Sequence, residues 1–378
     1  MSIIIGADCV PTVRNINSFA SADSDLLIGS ELLKLFSEAD YRIFNLEIPL
    51  ADKLTPIQKS GPSLIAPTST VNGYVAFGVD LVTIANNHIL DQGAAGLKST
   101  IDTLDRARIH HVGAGDNVKD AAIPFITTIN GKKIGVYACT EHEFSIATER
   151  SAGANPYDPL ESYDDVLALK EECDFVIVLY HGGKEYYRYP SPMLQRVCRK
   201  FVDKGADLVL CQHSHCIGCE EKYKDATVVY GQGNFLFDDS EEECWQTGLL
   251  VNVSDDLKIS YIPVRKYKEN VRLAEQDDAK TIMDAFLERS KEIQRPCFVE
   301  EKYKELADCM RAYYFQQFRG INNSNLVMRV LNKITHKKWR VWFMNRIYDD
   351  RKKRSIQNCL QCEAHRELIL KGITKENS

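Results

Sequence analysis

The chain has 378 residues, 44% of them hydrophobic and 26% charged, with a formal net charge of -6 at pH 7. That length supports one large domain or two ordinary ones, and so mild an acidic balance implies no global attraction to nucleic acid. The apolar runs are about strand length, far short of the roughly 20 residues that a bilayer span needs. Met1-Ser-Ile-Ile-Ile-Gly enters a strand at once, with neither a basic n-region nor a long apolar h-region, so no secretory signal and a cytoplasmic location are expected. In a reducing compartment the twelve cysteines are expected as thiols. Cys216-Ile-Gly-Cys219 and Cys359-Leu-Gln-Cys362 have zinc-type spacing but lie far apart along the chain.

In chain order, Ile3-Ile-Ile-Gly-Ala-Asp8 is a short strand whose closing carboxylate is either a ligand or a turn initiator. Residues 30–39 carry Leu32, Leu33, Leu35 and Phe36 at helical spacing, and Tyr41-Arg-Ile-Phe-Asn45-Leu-Glu47 then reads as a strand with Asn45 and Glu47 on one face. A Pro-, Gly- and Ser-rich loop at 56–67 is of the kind that borders active sites. The strand from Val79 leads to a helix over 96–107, with Asp91 expected as its cap rather than as the orienter of a neighbouring side chain. Residues 123–129 and 133–140 form a hairpin around Asn130-Gly131, and helices over 163–172 and 193–204 flank a strand ending at His181. This alternation to about residue 215 predicts an α/β fold. Strands at 226–233, 247–254 and 258–266 lack intervening helices and are expected to pair antiparallel. From about residue 270 helices over 277–294, 300–318 and 325–333 are expected, giving an α/β domain over 1–265 and a helical extension over 266–378.

The chain is organised around Ala206-Asp-Leu-Val-Leu-Cys-Gln-His213-Ser-His215, an apolar run stopping at two histidines. In an extended segment residues i and i+2 point the same way, so both imidazoles can face one cavity. The same event recurs where Asp174-Phe-Val-Ile-Val-Leu-Tyr-His181 and Val79-Asp-Leu-Val-Thr-Ile-Ala-Asn-Asn87-His88 end. Parallel strands bring their C-terminal tips to one sheet edge, where ligands bind. Asp8, Asn45, Glu47, Asn87, His88, His181, His213 and His215 then form one set of oxygen and imidazole donors without a thiolate, suited to two divalent or trivalent ions such as Mn, Fe, Zn or Co. Two ions about 3.5–4 Å apart promote in-line displacement at phosphorus, which makes phosphate ester hydrolysis the natural reaction.

The order Asp8, Asn45-Leu-Glu47, Asn86-Asn87-His88, His181, His213-x-His215 resembles the calcineurin-like metallophosphoesterases, and within them the CapA family linked to capsule and poly-gamma-glutamate synthesis. Asn86-Asn87-His88-x-x-Asp91-x-Gly93, His181-Gly-Gly-Lys-Glu185-Tyr186 and Gly233-Asn234-Phe-x-Phe-Asp238 resemble that family's signatures, over roughly residues 1–265. The resemblance implies a four-layer α/β/β/α metallophosphoesterase-like sandwich. It also implies Asp8 and His215 on one metal, Asn87, His181 and His213 on a second, Glu47 bridging and His88 as general acid. Asn45 would coordinate or only orient, and Glu185 would contact substrate or support His181. Three positions depart from the wider pattern: Asp8-Cys9-Val10 supplies no histidine, Gln212 replaces a glycine, and Gly182 follows His181 where tryptophan is common.

These expectations describe a metal-dependent phosphoesterase of surface-polymer metabolism, acting on a phosphoester or anionic polymer. The alternative is a non-catalytic polymer-assembly subunit that binds an anionic chain or a synthase partner. Between Arg329 and Arg354 ten Lys or Arg stand against two Asp, with Trp339, Trp342 and Phe343 interleaved. That segment is either a solvated helix face or a dock for an anionic membrane surface or a partner protein.

Overall fold

A computed structural model describes residues 1–237, 240–318, 330, 333–335, 338–362, 364–366 and 369. Asp238 and most of 325–333, both part of the expectations above, lie outside the described residues.

Two sheets carry the fold. In the first, β1 (Ser2–Val10), β2 (Tyr41–Leu46), β3 (Leu81–Thr83) and β4 (His110–Val112) run parallel and side by side. The second contains β6 (Phe125–Ile129), β7 (Lys132–Thr140), β9 (Phe175–His181), β10 (Leu208–Gln212), β11 (Glu220–Tyr223) and β12 (Ala226–Tyr230), in the order β11-β12-β10-β9-β7-β6. The short strands β5 (Ala114–Gly115) and β8 (Gly153–Ala154) form a ribbon of their own. On the other side of β1 the first sheet continues antiparallel through β14 (Thr247–Ser254), β15 (Ile259–Tyr267) and β16 (Asn270–Leu273), while β13 (Asn234–Phe237) runs parallel to the tip of β1.

The alternation of side chains along each strand builds the layers. Ile3 and Ile5 meet Ile177, Leu179, Leu208 and Leu210 in an apolar layer between the sheets. Ile4, one residue out of phase, faces away and packs with Phe36, Phe44, Leu97 and Leu104 beneath the helices Gly29–Glu38 and Gly93–Ala107. On the far side Val176, Val178 and Val209 pack with Val166, Leu169, Val197 and Phe201 of the helices Ser162–Glu172 and Pro192–Asp203. The result is a four-layer α/β/β/α sandwich. The expected hairpin is β6–β7, turned by Asn130 and Gly131, both with positive φ as a tight two-residue turn requires.

Two expectations are corrected. β12 pairs antiparallel with β11, but it also pairs parallel with β10, returning from β10 through β11 rather than through a helix. Beyond residue 270 a further strand, β16, closes the edge of the first sheet. The compact unit runs Met1–Glu300, and it includes the helix Gln276–Glu292, whose Phe286 ring lies 4.8 Å from that of Tyr261 on β15. A second unit begins at Glu301, and in it Met344 of the helix Lys338–Ile347 is fully buried with Ala312 and Tyr348. Among the described residues no helix is long and apolar enough to cross a membrane.

Candidate metal centre

Four strand tips supply the site. β1 gives Asp8, and a register break between Ile5 and Asp8 sets the latter opposite Asn45 of β2. Glu47 follows β2 directly; β9 ends at His181 and β10 at Gln212, just before His213. The turn after β10 is not the extended segment expected from the sequence: His213 has φ 90° and His215 φ 54°, both in the left-handed region. Such conformations cost on the order of 1–3 kcal/mol and persist only where the surroundings enforce them. Here a loop with positive φ at Gly231 and Gly233 presses on the turn; a Cβ on Gly231 would stand 2.7 Å from the Cys216 carbonyl oxygen and 2.8 Å from Ser214 Oγ.

The geometry divides the donors in two. Glu47, His181 and His213 each offer a ligand atom within 4.8 Å of the others, and so do Asp8, Glu47 and His215, with Glu47 common to both groups. All five are buried. His181 Nε2 lies 3.3 Å from Glu47 Oε1 and 3.0 Å from Asn87 Oδ1, which brings Asn87 to the first group. His215 Nδ1 is 2.9 Å from Asn234 Oδ1 and 3.5 Å from Asp8 Oδ2. Asn45 faces both halves: its Nδ2 donates to Asp8 Oδ1 at 2.7 Å and sits 3.3 Å from His181 Nδ1. Its oxygen accepts from Asn86 Nδ2 at 3.1 Å, so the Asn45 amide links Asp8, His181 and Asn86.

A metal fits this set. Both Glu47 oxygens, Asp8 Oδ2 and His213 Nδ1 are buried without a hydrogen-bond partner, and a buried carboxylate with neither solvent nor donors is costly unless a cation compensates it. Burial pushes the His213 pKa far below its ordinary value, and the neighbouring His181 and His215 push it further, which leaves the neutral imidazole that binds metals. Burial also opposes charge on His215, but Asp8 and Glu47 outweigh it and raise that pKa to about 9. Asp8 is held below the usual carboxylate range although burial works against it, because His215, His181 and Asn45 favour its charged form. Among the described residues, neither donor group contains a cysteine; Cys216 and Cys219 are buried free thiols.

His88 sits at the rim, its side chain 12% exposed, with Nδ1 2.6 Å from Asp91 Oδ2. Asp91 is therefore not the cap expected: the helix Gly93–Ala107 has no side-chain cap, and Asp91 instead receives Leu64 N at 2.6 Å and the Lys59 ammonium. Glu185 is half-buried in the segment after His181, and its carboxylate neighbours Tyr186. The apolar stripe and the ligand pattern give no signal for several further residues. Glu143 accepts from Asn87 Nδ2 at 3.3 Å and so turns the Asn87 oxygen toward His181. Ser145 Oγ donates to the Asn87 carbonyl at 2.6 Å. Gln212, where the wider pattern has glycine, donates to the Gly6 carbonyl at 3.2 Å and to Gln232 Oε1 at 3.1 Å, and Gln232 donates to the Ile5 carbonyl at 3.0 Å. Those amides tie the two sheets together beneath the donors.

Known proteins are similar to part of this chain. "Capsule biosynthesis protein CapA" of Bacillus anthracis is 32% identical over 210 residues, covering 53% of this chain and 51% of that one. "PGA biosynthesis protein CapA" of Bacillus subtilis is 28% identical over 215 residues, covering 54% and 55% respectively. The chain thus spans about half the length of these curated relatives. Among solved structures, a phosphatase from Mycoplasma pneumoniae superposes with a TM-score of 0.43 at 16% identity, over 71% of this chain and 94% of that one. The family model described as bacterial capsule synthesis protein PGA_cap matches residues 8–239, a span that holds every donor of the cluster, and the chain belongs to that family.

Proposed function

We propose that the chain is a metal-dependent phosphoester hydrolase serving the assembly of a capsule, poly-gamma-glutamate or a related anionic surface polymer. The observation that carries this reading is Glu47: a fully buried carboxylate, neither oxygen hydrogen-bonded, shared by an Asp–His pair on one side and a His–His pair on the other. Asp8 and His215 would hold one ion, Asn87, His181 and His213 a second, and Glu47 would bridge them, with Mn, Fe, Zn or Co matching the donor chemistry. When bound, such ions supply a nucleophilic water near neutral pH and charge stabilisation for an in-line displacement.

The chain's own groups do the rest. Asn45 and Asn86 fix Asp8 and His181, and Glu143 fixes the Asn87 amide. His88 directs Nδ1 at Asp91, which leaves Nε2 to deliver a proton to the leaving alkoxide as general acid. The purified chain loaded with Mn2+ or Zn2+ is expected to hydrolyse an aryl phosphodiester. Glu47→Gln and His213→Ala should each lower metal affinity about 10- to 100-fold or more and abolish turnover, since they remove ligands themselves. A metal-replete protein inert toward monoesters, diesters and cyclic nucleotides would defeat the reading.

A second reading, a polymer-assembly subunit acting through its surface, is favoured by the second unit. Between residues 338 and 354, all described, seven Lys or Arg face two Asp, and Trp342 is 58% exposed. Such a basic and aromatic face suits an anionic membrane surface or a synthase partner. In cells, polymer output that survives His88→Ala but is lost on replacing Lys352, Lys353 and Trp342 would favour this reading over hydrolysis.

A further inference from the structure

We propose that Lys59 is a positioning residue of the site: carried in by an exposed loop, its ammonium fixes the Asp91 carboxylate against His88, so that docking of the loop and orientation of the proton donor are one event. This rests on the hydrolase reading above. The loop following Glu47 is mostly open to solvent, with Leu54 68% exposed. The Lys59 side chain runs the other way: it is 3% exposed, its Nζ is bonded to Asp91 Oδ1, and it stands 3.3 Å from His88 Nδ1. Burying an ammonium costs several kcal/mol in lost hydration, which an apolar side chain on the same path would avoid.

Further anchors of the loop fall on Asp91 and its neighbour Gln92. Ile57 N donates to the Asp91 carbonyl at 3.1 Å. Thr55 donates through N to Gln92 Oε1 at 2.7 Å and through Oγ1 to the Gln92 carbonyl at 2.8 Å, and Gln92 Nε2 returns to the Leu64 carbonyl at 2.9 Å. Both oxygens of the Asp91 carboxylate are then engaged, Oδ1 by Lys59 and Oδ2 by Leu64 N and His88 Nδ1. With Oδ1 held, the carboxyl plane cannot turn. The Asp91 carboxylate 2.6 Å from Nδ1 favours the ring form that donates from that nitrogen, the second contact that sets which nitrogen of a histidine is free.

The test compares Lys59→Met and Lys59→Arg with wild type as full-length, metal-loaded protein on two aryl phosphodiesters. One carries 4-nitrophenol, a leaving group that needs little protonation, and the other phenol. Lys59→Met is expected to lower kcat on the phenyl ester by about tenfold or more beyond any loss on the nitrophenyl ester, with KM within about threefold and partial rescue by arginine, as general-acid catalysis requires. Equal losses on both esters, or a change in KM alone, would overturn the proposal. Independently of turnover, Lys59→Met should speed amide exchange at Ile57 and Leu64 and mix the two ring tautomers of His88 in 15N spectra; unchanged exchange and a single tautomer would overturn it as well. A wild-type protein inert on both esters removes the hydrolase reading, and the exchange and ring spectra then decide the coupling of loop to His88 by themselves.

Discussion

Asp91 accepts from a backbone amide and faces a histidine and a buried lysine, all within a side chain that is itself 0% exposed. Removing one member of a buried charge pair strands the other, typically at about 3–5 kcal/mol. Asp91→Asn, which keeps the shape and removes the charge, is expected to destabilise the protein by that amount in urea or guanidinium unfolding, with the midpoint rather than the slope carrying the change. Glu47 faces His181 Nε2 at 3.3 Å inside the protein, so Glu47→Gln, which removes the charge opposite that ring, is expected to destabilise the metal-free protein by about 1–3 kcal/mol, the usual penalty of leaving a buried polar group unsatisfied. The same variant should gain less stability than wild type when Mn2+ is added, and thermal unfolding with and without chelator separates the two effects. The sequence made the donors legible at this scale because an apolar strand that ends in a ligand-type residue is a local pattern. Asp91 was legible as a residue of interest but not in its role, since the partners that decide that role, Lys59 and Leu64, lie some thirty positions away. Glu143 and Gln232 left no trace, because an orienting amide or carboxylate is defined only by what the fold sets beside it.

At the scale of single elements the decisive feature is the break in β1. Its pairing with β2 shifts register between Ile5 and Asp8, and an irregularity of this kind re-aims the side chains beyond it. Gly6 lies in the break, and a Cβ there would fall 2.1 Å from Cε1 of the buried Phe44 ring, which is itself hemmed by Phe36 and Phe235 at 5.6 and 4.8 Å. Gly6→Ala is expected to cost about 1–3 kcal/mol through overpacking and, by displacing Asp8 from Asn45, to weaken metal uptake measured by calorimetry. Stability lost without any change in metal affinity would separate the break from the site. The helices and the parallel strands of this region follow from apolar period and run length, and their observed bounds differ from the expected ones by a few residues. The pairing of β12 with β10 and the existence of β16 do not follow, for a strand's own residues say how much of it is buried and not in which direction its neighbour runs.

For the whole molecule, the relevant quantity is how the site's free energy is shared between the two compact units, Met1–Glu300 and the one from Glu301. Every donor of the two groups lies in the first, between sheets that meet through the apolar layer and through the bonds of Gln212 to Gly6 and of Gln232 to Ile5. An ion held by Asp8 and Glu47 from one sheet and by His181, His213 and His215 from the other spans both sheets, so it can bind only when they are packed together. Binding to the native state alone adds stability as the logarithm of ligand concentration, about 4 kcal/mol at a thousandfold excess over Kd. Spread over a unit of this size, that amounts to roughly 6 °C in Tm. Among the described residues the second unit, with its own small core around Met344 and Tyr348, contributes no donor to either group and is expected to gain nothing. Calorimetric unfolding of the full chain should therefore show a transition that Mn2+ raises and a chelator lowers, beside one that neither moves. A single transition shifted as a whole would mean that the units unfold together, and two transitions that both ignore the ion would take the metal out of the sheet interface altogether.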